Sequence, residues 1–293
     1  MADQSGFYRV VRTVGGPAMN AYFRPWAEGL AYVPSTGPAI LASNHLAVID
    51  SFVLPLVLDR QVKFLGKSDY FTGSGLKGRA VAGFMRGVGT IPVDRTGGKG
   101  DGALKTGLKV LNSGGLFGIY PEGTRSPDGR LYRGKTGVAR LALQSGAPVI
   151  PVAMIGSDTA QPLGQAMPKP MSVGVKFGHP LDFSRYEGMD NDRFVLRAIT
   201  DEIIYAIMKL SGQEYVDEYA AVAKARIHAA KVAAKKAGGA AAGEDTAVAD
   251  ATGAHGEPNA TSTSGSPVAA SGLPVATSGL PVATSVMPAA PVQ

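Results

Sequence analysis

The chain of 293 residues predicts an α/β fold, a single layered domain with a largely parallel central sheet flanked by helices. Apolar residues make up 45% and charged residues 18% of the chain, which is enough to bury a core and excludes a wholly disordered or fibrous protein. Short β-like runs also alternate with helical stretches. This order is typical of a parallel sheet covered by helices.

The predicted elements follow one another between residues 39 and 237. Short apolar runs predict strands over 39–42, 62–65, 90–93, 116–120, 149–155 and 173–177. Longer periodic stretches predict helices over 48–58, 75–86, 101–112, 136–145 and 191–210. An Ala-rich helix over 214–237 completes this part of the chain. Its later half carries Lys and Arg residues, which we interpret as a solvated basic face, with contact to anionic lipid as the alternative.

Residues 1–30 predict an amphipathic helix. Arginines lie off its apolar stripe, which consists of Phe7, Val11, Val14, Ala18 and Tyr22. Gly15-Gly16-Pro17 is expected to break the helix into two pieces, and Trp26 follows at its end. A helix packed on the core and a helix lying in the membrane interface both fit this pattern. We favour the membrane interface.

Composition changes abruptly near Gly238. Residues 238–293 contain no aromatic residue and no Lys or Arg, and proline recurs every seven residues from Pro267 to Pro288. Interior prolines break helices and favour extended, solvated backbone. We therefore predict a disordered tail over 238–293.

Composition also excludes several kinds of chemistry. The chain has no cysteine, so disulfides, thiolate metal sites, cysteine nucleophiles and iron–sulfur clusters are excluded. Its net charge of +6 suits anionic lipid, a phosphorylated substrate or nucleic acid without choosing among them. The longest apolar run has about ten residues, half of what a spanning helix needs, and no secretory signal is recognised. We expect a cytosolic protein.

Two glycine patterns raise the alternative of a nucleotide-dependent enzyme. Gly129–Thr136 matches the P-loop spacing G-x-x-x-x-G-K-T, but a polar turn precedes it where a P-loop requires a buried strand. Gly73–Gly78 reads G-x-G-x-x-G, but the strand predicted before it ends too early. Context therefore disfavours both sites.

The segment from Ser43 to Asp50 lies at a predicted junction between a strand and a helix. Because His45 and Asp50 are about 140° apart on a regular helix, they can meet only if His45 lies in the loop and folds back. A carboxylate that fixes the imidazole tautomer makes a general base, although a purely structural pair is the alternative. The other histidines are remote, so we expect no metal site.

If His45 is a base, the hydroxyl that it activates belongs to a substrate. No serine has glycine two residues away on both sides, so the nucleophile elbow of serine hydrolases is absent. A thioester is a suitable electrophile for such a hydroxyl. Arg95 and Arg125 each follow a predicted strand and could bind a phosphate, or be ordinary surface charges, and Gly123 allows close backbone approach.

Four ordered segments resemble the blocks of the glycerolipid acyltransferase family, of the type of PlsC, a 1-acyl-sn-glycerol-3-phosphate acyltransferase. They are Asn-His-x-x-x-x-Asp at 44–50, Gly-x-Ile-x-Val-Asp-Arg at 89–95, Pro-Glu-Gly-Thr-Arg-Ser at 121–126 and Val-Ile-Pro-Val at 149–152. The resemblance implies that His45 is the base and Asp50 its partner. It implies an acceptor site that includes Arg95, Glu122, Gly123, Thr124 and Arg125, with Pro151 as a shaping residue.

The resemblance covers about residues 24–210 and implies the acylation of the sn-2 hydroxyl of lysophosphatidate. We expect the acyltransferase domain to extend over 31–237. The acyl donor would be an acyl-CoA or acyl carrier protein thioester. Neither a metal nor a cofactor is implied, nor a nucleic acid partner. The protein would lie peripherally on an anionic membrane surface, on the cytoplasmic side. Glycerol 3-phosphate or a glycolipid as acceptor, and a non-catalytic lipid-surface protein with a relic site, are the alternatives.

Overall fold

The computed structural model describes residues 11–67, 89–93 and 101–244. It also describes six isolated positions: Gly6, Gly75, Gly78, Arg79, Gly83 and Met85. Most of the predicted helix over 75–86, and residues 245–293 of the tail predicted over 238–293, therefore lie outside the described residues.

Strands and helices alternate along most of the described chain. The strands are β1 (Trp26–Glu28), β2 (Ala39–Ser43), β3 (Val62–Lys67), β4 (Thr90–Val93), β5 (Leu116–Ile119), β6 (Leu131–Tyr132), β7 (Val149–Ile155), β8 (Gly174–Phe177) and β9 (Tyr215–Val216). The α-helices are α1 (Gly16–Phe23), α2 (Asp50–Leu56), α3 (Asp101–Asn112), α4 (Gly137–Ser145), α5 (Ser157–Ala160), α6 (Arg193–Ser211) and α7 (Ala220–Glu244).

Seven strands form the main sheet in the order β1-β8-β7-β2-β5-β3-β4. Neighbouring strands are parallel except for the antiparallel pair β7–β8. This arrangement confirms the predicted α/β fold with a largely parallel sheet. A second, two-stranded sheet pairs β6 with β9.

The central position of β2 explains which loops meet. It pairs in parallel with β5 on one side, with Ala42 opposite Ile119, and with β7 on the other, with Ser43 opposite Val152. Carboxyl ends of adjacent parallel strands lie at the same edge of a sheet, where ligands of open α/β folds bind. The loops that follow β2 and β5 are therefore neighbours.

The core lies on both faces of the sheet. All five residues of β2 are buried, and its four apolar residues alternate between two apolar clusters. Ala39 and Leu41 belong to the cluster that packs with Phe23 of α1, and Ile40 and Ala42 belong to the cluster that packs with α6. Burial on both faces is what a parallel strand beneath two helix layers requires.

The N-terminal segment departs from a simple amphipathic helix. A π-helical turn over Val11–Gly15 precedes α1, and Pro17 lies in the first turn of α1, where its missing N–H costs no hydrogen bond. Phe23 is buried, whereas Val14 is 73% exposed. Trp26 opens strand β1, which was not predicted. Phe7 of the predicted stripe lies outside the described residues.

The prediction of a helix from residue 214 was wrong at its start. Tyr215 and Val216 form β9, and α7 begins at Ala220. Backbone pairing with β6 takes the preceding residues out of the helix. At its other end α7 continues to Glu244, past the composition change at Gly238.

Candidate active site

The loop after β2 is anchored by Asn44, whose side chain is buried. Its Oδ1 accepts a hydrogen bond from Met154 N at 2.7 Å, and its Nδ2 donates to Met154 O at 3.2 Å and to Gln213 Oε1 at 2.7 Å. The amide therefore joins the end of β2 to β7 and to the residues after α6. This anchor fixes the point at which the next residue, His45, leaves the sheet.

The carboxylate of Asp50 organises the same loop. Asp50 is fully buried, and its Oδ2 accepts from Leu46 N at 2.7 Å and from Ala47 N at 2.9 Å. The same oxygen lies 3.0 Å from His45 Nδ1. Because a carboxylate oxygen accepts, Nδ1 carries the proton and Nε2 keeps its lone pair. His45 therefore lies in the loop after β2 and folds back toward Asp50, as the five-residue spacing requires.

The ring of His45 is held by an aromatic neighbour. It stacks on Tyr120 with ring centroids 3.8 Å apart and an angle of 11° between the planes. Tyr120 OH lies 2.8 Å from Ser51 Oγ, and the ring centroids of Tyr120 and Phe64 are 5.6 Å apart. Burial, helped by the charge of Asp50, raises the pKa of Tyr120, so the phenol stays protonated. The imidazole side chain remains 17% exposed and can meet a substrate.

The loop after β5 is joined to the loop after β2 by backbone and side-chain bonds. Ser126 N donates to His45 O at 2.8 Å. Glu122 accepts from His45 N through Oε1 at 3.3 Å and from Tyr132 N through Oε2 at 3.0 Å. Glu122 is only 1% exposed, and its burial raises its pKa to about 8, against the opposing effect of the two N–H donors.

These contacts change the interpretation of Glu122. The sequence placed it in the acceptor site, but in the structure both carboxylate oxygens accept bonds from backbone and face away from solvent. Glu122 therefore positions the His45 loop against the loop after β5.

The remaining predicted site residues lie in three places. Gly123, Thr124 and Arg125 are half-buried in the loop after β5, next to His45. The Arg125 guanidinium makes no hydrogen bond or ion pair with another described residue. Pro151 is buried inside β7, where its carbonyl accepts from Gly178 N at 2.8 Å. Arg95 lies outside the described residues.

Two contributors were missed from the sequence: the anchoring role of Asn44 and the ring of Tyr120. Tyr120 directly precedes the Pro-Glu-Gly-Thr-Arg-Ser block, so an aromatic residue at a strand end was the available signal. In the sequence, Lys135 belongs to the P-loop-like pattern Gly129–Thr136. That pattern contains strand β6 and follows a turn, so the structure does not give it the strand–loop–helix form of a P-loop.

Within the described part of the chain, His, Asp and Glu residues form no group of three that could hold a metal ion. No described helix combines the length and the hydrophobicity that crossing a membrane requires.

Comparison with known proteins agrees with this geometry. Residues 25–155 match the family model described as Acyltransferase. A chloroplastic 1-acyl-sn-glycerol-3-phosphate acyltransferase of Brassica napus is 30% identical over 145 residues, 49% of this chain and 40% of that protein. A chloroplastic enzyme of the same name from Arabidopsis thaliana is 32% identical over 47% of this chain and 37% of its own length. The chain thus spans about two fifths of these plant relatives.

Two bacterial proteins are matched over more of their length. The 1-acyl-sn-glycerol-3-phosphate acyltransferase of Bacillus subtilis is 26% identical over 62% of this chain and 85% of that protein. The crystal structure of PlsC, the 1-acyl-sn-glycerophosphate acyltransferase of Thermotoga maritima, shares the fold with a TM-score of 0.54 and 24% identity. The match covers 72% of this chain and 83% of that chain. Residues 25–155 thus match the Acyltransferase model, and the chain is similar in sequence to 1-acyl-sn-glycerol-3-phosphate acyltransferases of plants and bacteria and in fold to PlsC.

Proposed function

We propose that this protein transfers a fatty acyl group from a thioester to the sn-2 hydroxyl of lysophosphatidate, forming phosphatidate. The observation that carries the proposal is the 3.0 Å contact between His45 Nδ1 and the buried Asp50 carboxylate. This contact leaves Nε2 of His45 free to act as a base, beside the loop after β5 that carries Arg125. The names of the relatives supply the substrate class.

The proposed chemistry needs no covalent enzyme intermediate. His45 Nε2 takes the proton of the sn-2 hydroxyl while the oxygen attacks the thioester carbonyl carbon. Asp50 stabilises the imidazolium that forms and keeps its orientation. When the tetrahedral intermediate collapses, the carbon–sulfur bond breaks and the imidazolium returns the proton to the leaving thiolate. The products are an ester and a free thiol.

The acceptor is held through its phosphate. Arg125 supports this role because its guanidinium has no acidic partner among the described residues and lies two residues from Gly123 in the loop that contacts His45. A planar guanidinium can donate two parallel hydrogen bonds to phosphate. Arg95 is proposed for the same role from its sequence motif alone.

The test is thioester turnover by the purified protein with a panel of acceptors, measured as the free thiol that the donor releases. A chain without cysteine gives no protein background in a thiol assay. Lysophosphatidate, glycerol 3-phosphate, monoacylglycerol and a glycolipid would be compared, with acyl-CoA and acyl carrier protein as donors. Preference for lysophosphatidate is expected. Preference for another acceptor would reassign the substrate, and no acyl transfer would reject the function.

We also propose that the protein binds peripherally to anionic membrane, on the cytoplasmic side. Support comes from the net charge of +6 and from apolar side chains exposed on the N-terminal segment, Val14 at 73% and Tyr22 at 38%. Removing the whole segment would also remove the buried Phe23. Val14→Asp is therefore the better test. It should weaken cosedimentation with anionic vesicles, and unchanged binding would contradict the proposal.

A further inference from the structure

Lys135 lies against the loop that carries Arg125, although ten residues separate the two in sequence. Its backbone N donates to Pro121 O at 2.8 Å, which ties it to the start of that loop. Its side chain crosses Gly123. A β-carbon at Gly123 would lie 3.1 Å from both Cε and Nζ of Lys135 and 3.2 Å from Cδ. The ammonium group is therefore placed on the loop itself.

The charge of Lys135 is not used within the described structure. Two nearby cations are paired, Arg130 with Asp128 at 2.7 Å and Arg133 with Asp217 at 3.6 Å. Lys135 is exposed and makes no ion pair with a described residue. The acid of the adjacent loop, Glu122, is buried and accepts backbone bonds. An ammonium that rests on a loop without an acidic partner is available to an anion.

We propose that Lys135 is a second cation for the acceptor phosphate, acting beside Arg125 and selecting phosphorylated acceptors. This inference rests on the proposed function. The two cations are suited to different tasks, because a guanidinium fork sets orientation and an ammonium on a flexible stem adds charge wherever the phosphate oxygens lie.

The inference also explains why residue 123 is a glycine. Its φ is +73°, a conformation that side chains rarely adopt, and any β-carbon would crowd the stem of Lys135. Gly123→Ala should therefore disturb the loop and displace the ammonium together. Lys135→Gln is the cleaner change because the side chain is exposed and its loss leaves no buried group without a partner.

The experiment compares the wild-type protein with Lys135→Gln, Lys135→Arg and a control, Lys209→Gln. Lys209 is an exposed residue of α6, and its Nζ lies 5.0 Å from the Tyr205 ring centroid. Each variant would be assayed for kcat and KM with lysophosphatidate and with uncharged monoacylglycerol, and for KM of the acyl donor. Thermal unfolding would show whether each variant is folded.

Lys135→Gln should lose roughly 10-fold in kcat/KM for lysophosphatidate, the lower end of what a charge-assisted hydrogen bond contributes. The loss should fall on the acceptor KM, be absent with monoacylglycerol, and be largely restored in Lys135→Arg. The control should match wild type. An equal loss with both acceptors, a rise in the donor KM alone, or no loss would each overturn the inference. Lack of wild-type turnover with lysophosphatidate would instead overturn the proposed function, on which the inference depends.

Discussion

The loops after β2 and β5 lie side by side but are built differently. In the first, the side chains of Asn44 and Asp50 accept or donate bonds at 2.7–3.2 Å, and the His45 ring is stacked and hydrogen-bonded. In the second, Arg125 has no acidic partner among the described residues, and neither has Lys135, which follows β6 and lies against this loop. The difference matches two tasks: proton transfer requires fixed geometry, whereas phosphate binding requires charge that is not already neutralised.

The two loops are nevertheless connected by hydrogen bonds. Glu122 belongs to the second loop, yet its Oε1 accepts the N–H of His45, and Ser126 N donates to the carbonyl of the same residue. In the proposed function, these two hydrogen bonds keep the phosphate-binding loop beside the base. Changes that separate the two tasks are the sharpest way to test this division.

The largest effect is expected from His45→Ala. Removal of a positioned general base typically lowers the rate by about 10² to 10⁴, so the loss should appear in kcat. Binding of the thioester and of the acceptor should persist. Steady-state thiol release with lysophosphatidate measures the change. Near-normal turnover would reject His45 as the base.

Arg125→Ala should act on binding and not on proton transfer. Loss of a charge-assisted hydrogen bond costs about 1.5 to 3 kcal/mol, which corresponds to roughly 10-fold to 150-fold in kcat/KM. Most of this loss should be a higher KM for lysophosphatidate, with the donor KM little changed. A defect of the same size on monoacylglycerol would argue against phosphate binding.

Glu122 should make stability depend on pH. Burial raises its pKa from 4.5 to about 8, so the unfolded chain releases this proton at lower pH than the folded protein does. The free energy of unfolding should therefore fall as pH rises from about 4.5 to about 8, by up to about 1.4 kcal/mol per pH unit. Chemical denaturation at several pH values measures this slope.

The matched variants for this prediction are Glu122→Gln and Glu214→Gln. The first removes the titrating carboxyl group, so its stability should vary less with pH than that of wild type. The second changes an exposed glutamate, whose side chain is 72% accessible, and should keep the wild-type slope. Parallel pH dependence in all three proteins would contradict the role given to Glu122.

Tyr120 should give the smallest effect. Aromatic stacking contributes about 0.5 to 1.5 kcal/mol, so Tyr120→Leu should lower kcat by roughly 2-fold to 10-fold through a less ordered imidazole. Tyr120→Phe keeps the ring and loses only the contact with Ser51, so it should lie nearer wild type. The kcat values of the two variants, measured side by side with lysophosphatidate, distinguish loss of the ring from loss of the hydroxyl. Equal losses of kcat in both variants would show that the ring does not position His45.

Much of the fold could be predicted from the hydrophobic pattern of the sequence, because its strands are short buried apolar runs between helices. Every strand predicted between residues 39 and 177 has a counterpart in the main sheet. The short strand at Trp26–Glu28 and the pair β6–β9 were missed, since two or three residues carry no period. These strands pair with segments that are distant in sequence. β1 pairs with β8, more than a hundred residues later, and β6 pairs with β9, more than eighty residues later.

Some features of the candidate site could likewise be predicted from the sequence, and others could not. His45 and Asp50 are five residues apart, so local geometry predicted their contact. Lys135 and Gly123 are twelve residues apart and meet in the folded chain, where the backbone N of Lys135 donates to Pro121 O, and no local sequence pattern predicts this contact. The environment of Glu122 was also hidden, because burial and two backbone donors are properties of the folded chain.

The most direct test of the division between proton transfer and phosphate binding is one ratio, kcat/KM for lysophosphatidate divided by kcat/KM for monoacylglycerol. It would be measured for wild type, His45→Ala and Arg125→Ala, with enzyme concentrations raised to follow the slow variant. The ratio should be unchanged in His45→Ala, because the base serves both acceptors equally, and should fall by roughly 10-fold or more in Arg125→Ala. A ratio that is the same in all three proteins, or that falls equally in both variants, would contradict the division.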